Sequence, residues 1–233
     1  MSKKIIVTGG NGRFAEELKK INCRYNFIFR DKKQLNILSI SSIKKNLKIY
    51  KPESVIHLAA LSRPMSIHDT KINKSIDLNI IGTANLVKSC SEENIKIIFF
   101  STSYVYPGKK GNYKENDALL PWNNYGWSKL GAESSVQMYK NSLIIRACMT
   151  EKPFVHKYAF SNVKSNFIFH EDFAKIFIKL IDKKGIINIG GKSQTIYQFV
   201  RKNNKKVKKI KSQGELPLNM DMCLKKSKKL LKK

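Results

Sequence analysis

The sequence has few acidic residues, since 17 Asp and Glu stand against 45 Lys and Arg and give a formal net charge of +28. Only six of these basic residues are arginine, the type whose planar fork suits phosphates and base edges. The lysines are spread along the chain, with some concentration in 201–233. We therefore attribute most of the charge to a lysine-rich composition. Binding of nucleic acid or another polyanion remains the less favoured alternative.

Long hydrophobic runs are also missing. The uncharged apolar stretches, such as 97–100, have strand length and fall far below the roughly 20 residues of a membrane-spanning helix. Residues 5–7 are too few for a signal-peptide core. No cysteine forms a CxxC pair, which predicts free thiols in the cytoplasm and no metal site. With 233 residues, 42% of them hydrophobic, the chain suits one domain with a small appended lobe.

A glycine-rich turn follows the first apolar segment. Residues 5–8 predict a strand and residues 14–20 a helix, with Gly9 and Gly12 in the turn between them. Backbone N–H groups at such a helix start favour an anion, and glycines let the backbone approach it closely. The turn alone is a weak sign of a phosphate site, because many strands end in glycine turns. Its position directly after the first strand strengthens the prediction.

Strand-like and helix-like segments alternate along the first two thirds of the chain. The predicted strands are 5–8, 27–29, 54–58, 96–100, 143–146, 167–169 and 186–189. The predicted helices are 14–20, 41–50, 76–90, 125–140, 172–181 and 195–202, and 224–233 is expected to fray. This rhythm predicts an α/β fold with a doubly wound parallel sheet, and ligands then bind at the carboxyl ends of the strands.

Two further motifs carry chemistry. Tyr125 and Lys129 are four residues apart and share one helix face, where an ammonium would lower the pKa of the phenol. Such a pair can move a proton to or from an alcohol or carbonyl oxygen. Thr102 and Ser103 follow the fourth strand, where a hydroxyl could hold that oxygen. Polar residues commonly follow a strand, so each motif alone is weak evidence. The motifs are specific only in combination.

With these motifs, the chain resembles the extended short-chain dehydrogenases/reductases. The resemblance is to the sugar-nucleotide branch that includes dTDP-4-dehydrorhamnose reductases and epimerase/dehydratases. The matching stretches are 8–12, the Leu-Asn-Ile-Leu-Ser segment 35–39, the Pro-Glu-Ser-Val-Ile-His-Leu-Ala-Ala segment 52–60, the helix 79–86, the Phe-Ser-Thr-Ser-Tyr-Val-Tyr segment 100–106 and Tyr125-x-x-x-Lys129. It implies a Rossmann-type sheet in 1–150 and a short substrate lobe in 151–233 that partly completes the sheet.

The resemblance also implies roles for individual residues. Tyr125 is the acid/base, Lys129 lowers its pKa and holds the nicotinamide ribose, and Thr102 binds the reacting oxygen. Substrate contacts fall on Thr102, Ser103 and Tyr125. The implied cofactor contacts are Gly9, Asn11, Gly12, Arg13, Phe14, Arg30, Asn36, Ile37, Ala59, Ala60, Leu61, Ser101, Tyr125 and Lys129.

The implied activity is NAD(P)-dependent chemistry on a nucleotide-sugar, most simply reduction of a 4-keto group. Arg30 and Asp31 both follow the second strand, and we favour NADP over NAD because arginine suits its 2′-phosphate. Asn36 stands where the family has aspartate, and Ala15 replaces the third glycine. The 23 residues between Arg146 and His170 leave an abbreviated substrate lobe.

Several weaker candidates have plainer interpretations. His57 is expected to pack in a buried strand, His170 to cap a helix with an acidic first turn, and Arg63 to be an exposed loop residue. Trp122 and Trp127 flank Tyr125 and could shape the pocket or the core. The alternative to an enzyme is a cofactor-binding regulatory subunit without turnover, and family members are often homodimers.

Overall fold

The computed structural model of the chain describes residues 2–232 and has a parallel six-stranded sheet at its centre. The strands are β1 (Lys3–Thr8), β2 (Tyr25–Arg30), β3 (Ser54–His57), β4 (Lys96–Thr102), β5 (Ser142–Ala147) and β6 (Gly185–Ile189). Their order is β6-β5-β4-β3-β1-β2, and every neighbouring pair is parallel. The order reverses at β1, so a crevice opens beyond the carboxyl ends of β1 and β3. The predicted doubly wound α/β fold is confirmed.

Helices cover both faces of the sheet. They are α1 (Arg13–Lys19), α2 (Ile40–Tyr50), α3 (Gly82–Glu92), α4 (Asn124–Gln137), α5 (His170–Ile178), α6 (Ile196–Arg201) and α7 (Lys225–Leu231). Single turns at Ile67–Thr70, Ile72–Ser75 and Ser103–Val105 supplement them. The predicted helix 76–90 begins as a π-helical turn, Ile76–Ile81. The spacing of apolar residues cannot reveal this wider turn. Such turns are rare overall, but those that occur are frequently found at functional sites.

The alternation of side chains along each strand explains the two layers. Ile5 and Val7 face one side, where they join Phe14 and Leu18 of α1 and Phe173 of α5 in one core cluster. The residue between them, Ile6, faces the other side with Leu47 of α2, Leu86 of α3 and Val136 of α4. Because both faces are covered, the strands are continuous apolar runs.

A small lobe follows β5. Tyr158–Phe160 pairs with Lys208–Ile210, and Lys164–Ser165 pairs with Gln194–Thr195. A third short pair joins Met149–Thr150 to Ile168–Phe169. The lobe has its own apolar cluster, which contacts Tyr104 and Trp122 at the edge of the main sheet.

Some predictions at helix ends need correction. The N-cap residue of α5 is Phe169, which offers no capping oxygen, so His170 is the first helical residue and not the cap. The acidic first turn of Glu171 and Asp172 is present. The last predicted segment, 224–233, contains α7, while Lys233 lies outside the described residues.

Across residues 2–232, no helix combines the length and apolarity that a membrane crossing requires. The four cysteines, Cys23, Cys90, Cys148 and Cys223, are free thiols.

A buried ion pair joins α4 to β5. Nη2 of Arg146 lies 2.5 Å from Oε1 of Glu133, and both side chains are at most 1% exposed. Ser101 donates to the other carboxylate oxygen of Glu133 at 2.5 Å, and Arg146 also donates to the Tyr106 hydroxyl at 2.8 Å. The pair is therefore fully hydrogen-bonded and fixes α4 against the ends of β4 and β5.

We predict that Glu133→Gln lowers the free energy of unfolding by about 3–5 kcal/mol, because Arg146 would keep a buried charge without a counterion. Urea denaturation measures this change. Glu16→Gln is the matched control: its pair with Lys19 is exposed, so the change should stay within about 0.5 kcal/mol. Equal effects of the two substitutions would contradict this account of the buried pair.

Candidate functional site

The glycine turn forms a cradle at the point where the strand order reverses. Gly9 has φ of +68°, and a Cβ there would lie 2.8 Å from the backbone nitrogen of Ala59. The N–H of Gly10 donates to the carbonyl of Arg30 at 2.9 Å. At Gly12, where α1 begins, an added Cβ would meet only the Gly9 carbonyl within 4 Å. The turn thus packs on the ends of β2 and β3 and leaves open space in front of Gly12, which fits a dinucleotide diphosphate.

The predicted cofactor residues divide between this crevice and the core. Phe14 is buried, with its ring 5.2 Å from those of Phe100 and Phe173, so only its backbone can face a ligand. Ile37 is also buried and packs on Gly82. Ser101 uses its hydroxyl on Glu133. The sequence motif could not separate side chains that support the site from those that line it.

The end of β2 carries the residues expected to face the adenosine ribose. Arg30 donates to Asn46 at 3.1 Å and to the Tyr50 hydroxyl at 2.7 Å. Asp31 accepts the amide of Asn11 at 3.4 Å, from within the glycine turn. Asn36 accepts the N–H of Leu38 at 3.1 Å in its own loop.

The segment after β3 completes that side of the crevice. Ala59 and Leu61 are half-buried and Ala60 is exposed. Ala59 lies directly against Gly9, so the segment begins beside the glycine turn, and its contacts with a cofactor stay a prediction.

A chain of buried hydrogen bonds links β1 to the π-helical turn. Thr8 accepts the N–H of Ala59 at 3.2 Å, and its hydroxyl lies 2.8 Å from Nδ1 of His57. Nε2 of His57 lies 3.0 Å from the Thr83 hydroxyl, which donates to the Asn79 carbonyl at 2.6 Å. These donors require a neutral His57 with its proton on Nε2, and burial lowers its pKa to about 3. His57 is therefore a buried structural link, as expected, but a polar one.

Asn79 extends this chain to α4. Its side chain accepts the N–H of Leu61 at 2.7 Å and donates to the Leu61 carbonyl at 3.0 Å. It also donates to the Ser128 hydroxyl at 2.8 Å, and Ser128 donates to the Tyr125 carbonyl at the same distance. One amide thereby holds the loop after β3 and the first turn of α4 together. Sequence reasoning gave Asn79 no such role.

Thr102 and Tyr125 meet at the carboxyl edge of the sheet. The Thr102 hydroxyl accepts the N–H of Tyr104 at 3.2 Å, and its proximity acts to lower the pKa of Tyr125. Burial dominates, however, and raises the pKa of Tyr125 to about 12. Lys129 is not a cause of this shift, so the expected lowering of the Tyr125 pKa by Lys129 is absent in this state.

Lys129 lies one turn further along α4 and is 5% exposed. Its Nζ is 4.1 Å from the centre of the Phe99 ring. Burial lowers the pKa of Lys129 to about 7, against the opposing charge of Glu133. The amine is thus balanced between charged and neutral forms near neutral pH.

Aromatic residues surround Tyr125, and the sequence reasoning named some of them and missed others. The rings of His68 and Tyr104 lie 5.1 and 5.9 Å from that of Tyr125, and Trp122 packs on Tyr104 at 5.0 Å. Trp127, in contrast, is 48% exposed. Trp122 and Trp127 were expected to flank Tyr125, whereas no pattern in the sequence assigned a role to His68 or Tyr104.

Some polar atoms near Tyr125 have no hydrogen-bond partner. Among residues 2–232, the buried side-chain atoms in this condition are Nε2 of His68, Oγ of Ser103, Nε1 of Trp122 and Oγ of Ser165. The two serines lie within hydrogen-bonding reach of the Cys148 thiol, whose pKa burial raises to about 11. Buried polar atoms are normally paired, so Nε2 of His68 and Nε1 of Trp122 are the exceptions beside Tyr125 and Tyr104.

An ion-pair cluster spans the same crevice. Arg13, after β1, and Arg63, after β3, both contact Oε1 of Glu151, at 3.1 and 2.5 Å. Partial burial of Glu151 opposes ionisation, but the hydrogen bond from Arg63 and the charges of both arginines lower its pKa to about 2. Arg63 is an exposed loop residue, as expected, and it is also ion-paired with Glu151.

The sequence is similar to known proteins over its first two thirds. The family model described as "RmlD substrate binding domain" matches residues 3–154. A dTDP-4-dehydrorhamnose reductase of Aggregatibacter actinomycetemcomitans is 28% identical over 152 residues, which are 63% of this chain and 51% of that protein. The methionine adenosyltransferase 2 subunit beta of Pongo abelii is 25% identical over 144 residues, or 58% and 43% of the two chains. The chain thus spans about half the length of these curated relatives.

Solved structures share the fold over nearly the whole chain. The dTDP-4-dehydrorhamnose reductase of Bacillus anthracis in complex with NADP has a TM-score of 0.86 and 21% identity, covering 98% of this chain and 91% of that one. The UDP-glucose 4-epimerase of Thermus thermophilus in complex with NAD has a TM-score of 0.78 and 16% identity, covering 98% and 92%. The structural matches establish the fold, and the family model covers well over half of the sequence: the chain belongs to the RmlD substrate-binding domain family.

Proposed function

We propose that the protein is an NAD(P)-dependent oxidoreductase that reduces a keto group of a nucleotide-linked sugar, most simply a dTDP-linked 4-keto sugar. The observation that carries the proposal is the placement of Thr102, at the end of β4, beside Tyr125 of α4 at the carboxyl edge of the sheet, on the same edge as the open glycine turn. Lys129 lies one helical turn from Tyr125. The similarity to dTDP-4-dehydrorhamnose reductases supports the choice of substrate class.

The proposed roles follow from the protonation states. When bound, the nicotinamide cofactor supplies or accepts the hydride. Tyr125, held protonated by burial, donates its proton to the developing sugar alkoxide, while Thr102 positions that oxygen. Lys129 in its ammonium form would favour the resulting phenolate, as the sequence motif predicts.

The unpaired polar atoms near Tyr125 support a sugar ligand. Hydroxyl groups of a sugar both donate and accept, so they can pair with Nε2 of His68 and Nε1 of Trp122, which have no partner among residues 2–232. An aromatic wall of Tyr104 and Trp122 would contact the apolar face of such a ring.

The cofactor preference is proposed from the end of β2. A shallow cavity of about 430 Å³ there is lined by Arg30, Lys33 and Lys45, together with Ser42 and Asn46. Three cations around one cavity suit the 2′-phosphate of NADP, while Asp31 nearby could bind a free 2′-hydroxyl. We favour NADP.

A second candidate is a subunit that binds the cofactor without turnover. Its support is the similarity to methionine adenosyltransferase 2 subunit beta, a subunit of another enzyme. The presence of Thr102, Tyr125 and Lys129 favours catalysis. We also propose that the protein is cytoplasmic, that it forms a homodimer, and that a boundary between two domains lies at residue 150.

We predict that Tyr125→Phe lowers kcat at least 100-fold because the proton donor is lost, while the Kd of NADPH changes less than threefold. The assay follows absorbance of the reduced nicotinamide with a panel of nucleotide-linked 4-keto sugars. Tyr139→Phe is the control, since that hydroxyl donates to the Ile95 carbonyl at the far end of α4 and should leave kcat unchanged.

Two outcomes would count against the proposed activity. Undiminished turnover by Tyr125→Phe would remove Tyr125 from the mechanism. Tight cofactor binding without oxidation or reduction across the whole panel would favour the non-catalytic subunit.

For the cofactor, we predict that Arg30→Gln weakens NADPH binding about tenfold and leaves NADH binding unchanged, because a 2′-phosphate contact is lost. Titration calorimetry with both dinucleotides measures this difference. Lys48→Gln removes an equal charge from the exposed face of α2, outside the cavity, and should change neither Kd. If Arg30→Gln weakened both dinucleotides equally, Arg30 would be structural.

Lys129 gives a pH prediction. Its pKa is about 7 when folded and about 10.5 when unfolded, so between these values the unfolded chain binds more protons. The free energy of unfolding of the wild type, minus that of Lys129→Met, should therefore rise from pH 7 to pH 10 and be flat below pH 6. Urea denaturation at several pH values tests this, and a flat difference throughout would refute the lowered pKa.

A further inference from the structure

Two arginines at the crevice bind a carboxylate group of the protein itself. Glu151 follows the short strand Met149–Thr150 and places one carboxylate oxygen on both Arg13 and Arg63. Arg13 begins α1 beside the glycine turn, and Arg63 belongs to the loop after β3. The carboxylate therefore bridges the two loops that border the crevice where the strand order reverses.

The two guanidinium groups are arranged as a diphosphate site would require. They come from opposite sides of the crevice and converge on one oxygen, at 3.1 and 2.5 Å. Arginine forks bind phosphate oxygens with the same geometry that they use for carboxylates. The single charge of Glu151 leaves the cluster with a net charge of +1, which a diphosphate would neutralise more completely.

The position of Arg63 places this cluster between the glycine turn and the reaction site. The charge of Arg63 acts on the Tyr125 hydroxyl and on His170, as well as on Glu151. Both arginines are partly exposed, at 49% for Arg13 and 37% for Arg63, so a ligand can reach them. The Glu151 side chain is only 18% exposed and lies on the protein side of the pair.

We propose that Arg13 and Arg63 form a two-arginine diphosphate-binding pair and that Glu151 competes with the diphosphate for it. When no ligand is bound, the Glu151 carboxylate holds the two like-charged arginines together. A more highly charged anion displaces the carboxylate from them when it binds. This inference rests on the proposed function, because a diphosphate is present both in the dinucleotide cofactor and in a nucleotide-linked sugar.

If Glu151 competes with the ligand, a substitution that removes its charge should strengthen diphosphate binding. Replacing Glu151 by glutamine removes a carboxylate next to the binding site, so diphosphates should bind more tightly and not less. Loss of the ordering contact acts in the opposite direction, but the removed charge repulsion is the larger effect. A purely structural ion pair would give weaker binding.

The experiment measures the Kd values of NADP⁺, dTDP and inorganic pyrophosphate by titration calorimetry on the full chain. Glu151→Gln should tighten the Kd of at least one probe fivefold or more. Arg13→Gln and Arg63→Gln should each weaken it at least tenfold, and Arg63→Lys should weaken it less than Arg63→Gln does. Melting temperatures without ligand show whether each variant is folded, and the arginine variants decide the matter if Glu151→Gln does not fold.

Glu171→Gln is the matched control. It changes the net charge by the same amount close to the crevice, because Glu171 pairs with Lys152 at 3.0 Å, next to Glu151 in sequence. Its Kd values should stay within twofold of the wild type. Similar tightening by both substitutions would attribute the effect to net charge and overturn the competition.

The three probes distinguish a diphosphate of the cofactor from one of the sugar nucleotide. They also test the arginine pair separately from the proposed cofactor. Tightening for NADP⁺ alone assigns the pair to the cofactor, and tightening for dTDP alone assigns it to the sugar nucleotide. If NADP⁺ binds but the arginine variants leave every Kd unchanged, the pair is refuted while the proposed cofactor stands. If NADP⁺ does not bind but pyrophosphate shows the full pattern, the pair stands and the proposed cofactor fails.

Discussion

The site depends on a buried chain of hydrogen bonds that runs from Thr8 through His57 and Thr83 to Asn79. Each link has one donor and one acceptor, and the chain ends in an amide that bonds both the loop after β3 and α4. A buried polar chain of this kind is costly when any member is unpaired, so it permits only one arrangement of the elements that it joins. The distance between the glycine turn and the first turn of α4 is set in this way.

Asn79, in the π-helical turn, connects that chain to the neighbouring elements. Thr83 donates back to the carbonyl of Asn79, four residues earlier, while the side chain of Asn79 reaches Leu61 and Ser128 in two other elements. One residue therefore uses both backbone and side chain to connect three segments. Such a role explains why Asn79, only 1% exposed, is polar in a position that the apolar spacing assigns to an ordinary helix.

The sequence predicted the order and type of the main elements because β-branched runs and 3.6-residue spacing report burial directly. It also located Thr102 and Tyr125 at one edge, since strand ends of a parallel sheet meet there. It could not predict that burial would hold the Tyr125 pKa near 12, or that Phe14 would point into the core. Both depend on which side of a loop or helix faces the packed interior, and the partners there come from distant segments.

Two ion pairs show how placement decides what a charge does in this fold. Glu133 and Arg146 are excluded from water, and their remaining hydrogen bonds are filled by Ser101 and Tyr106, so no ligand can replace either partner. Glu151 has the same chemistry, but its arginine partners are partly exposed at the crevice. Because these arginines can be reached from the crevice, a ligand anion can take the place of the Glu151 carboxylate on them. The first pair maintains the position of α4, whereas the second is free to respond to an anion in the crevice.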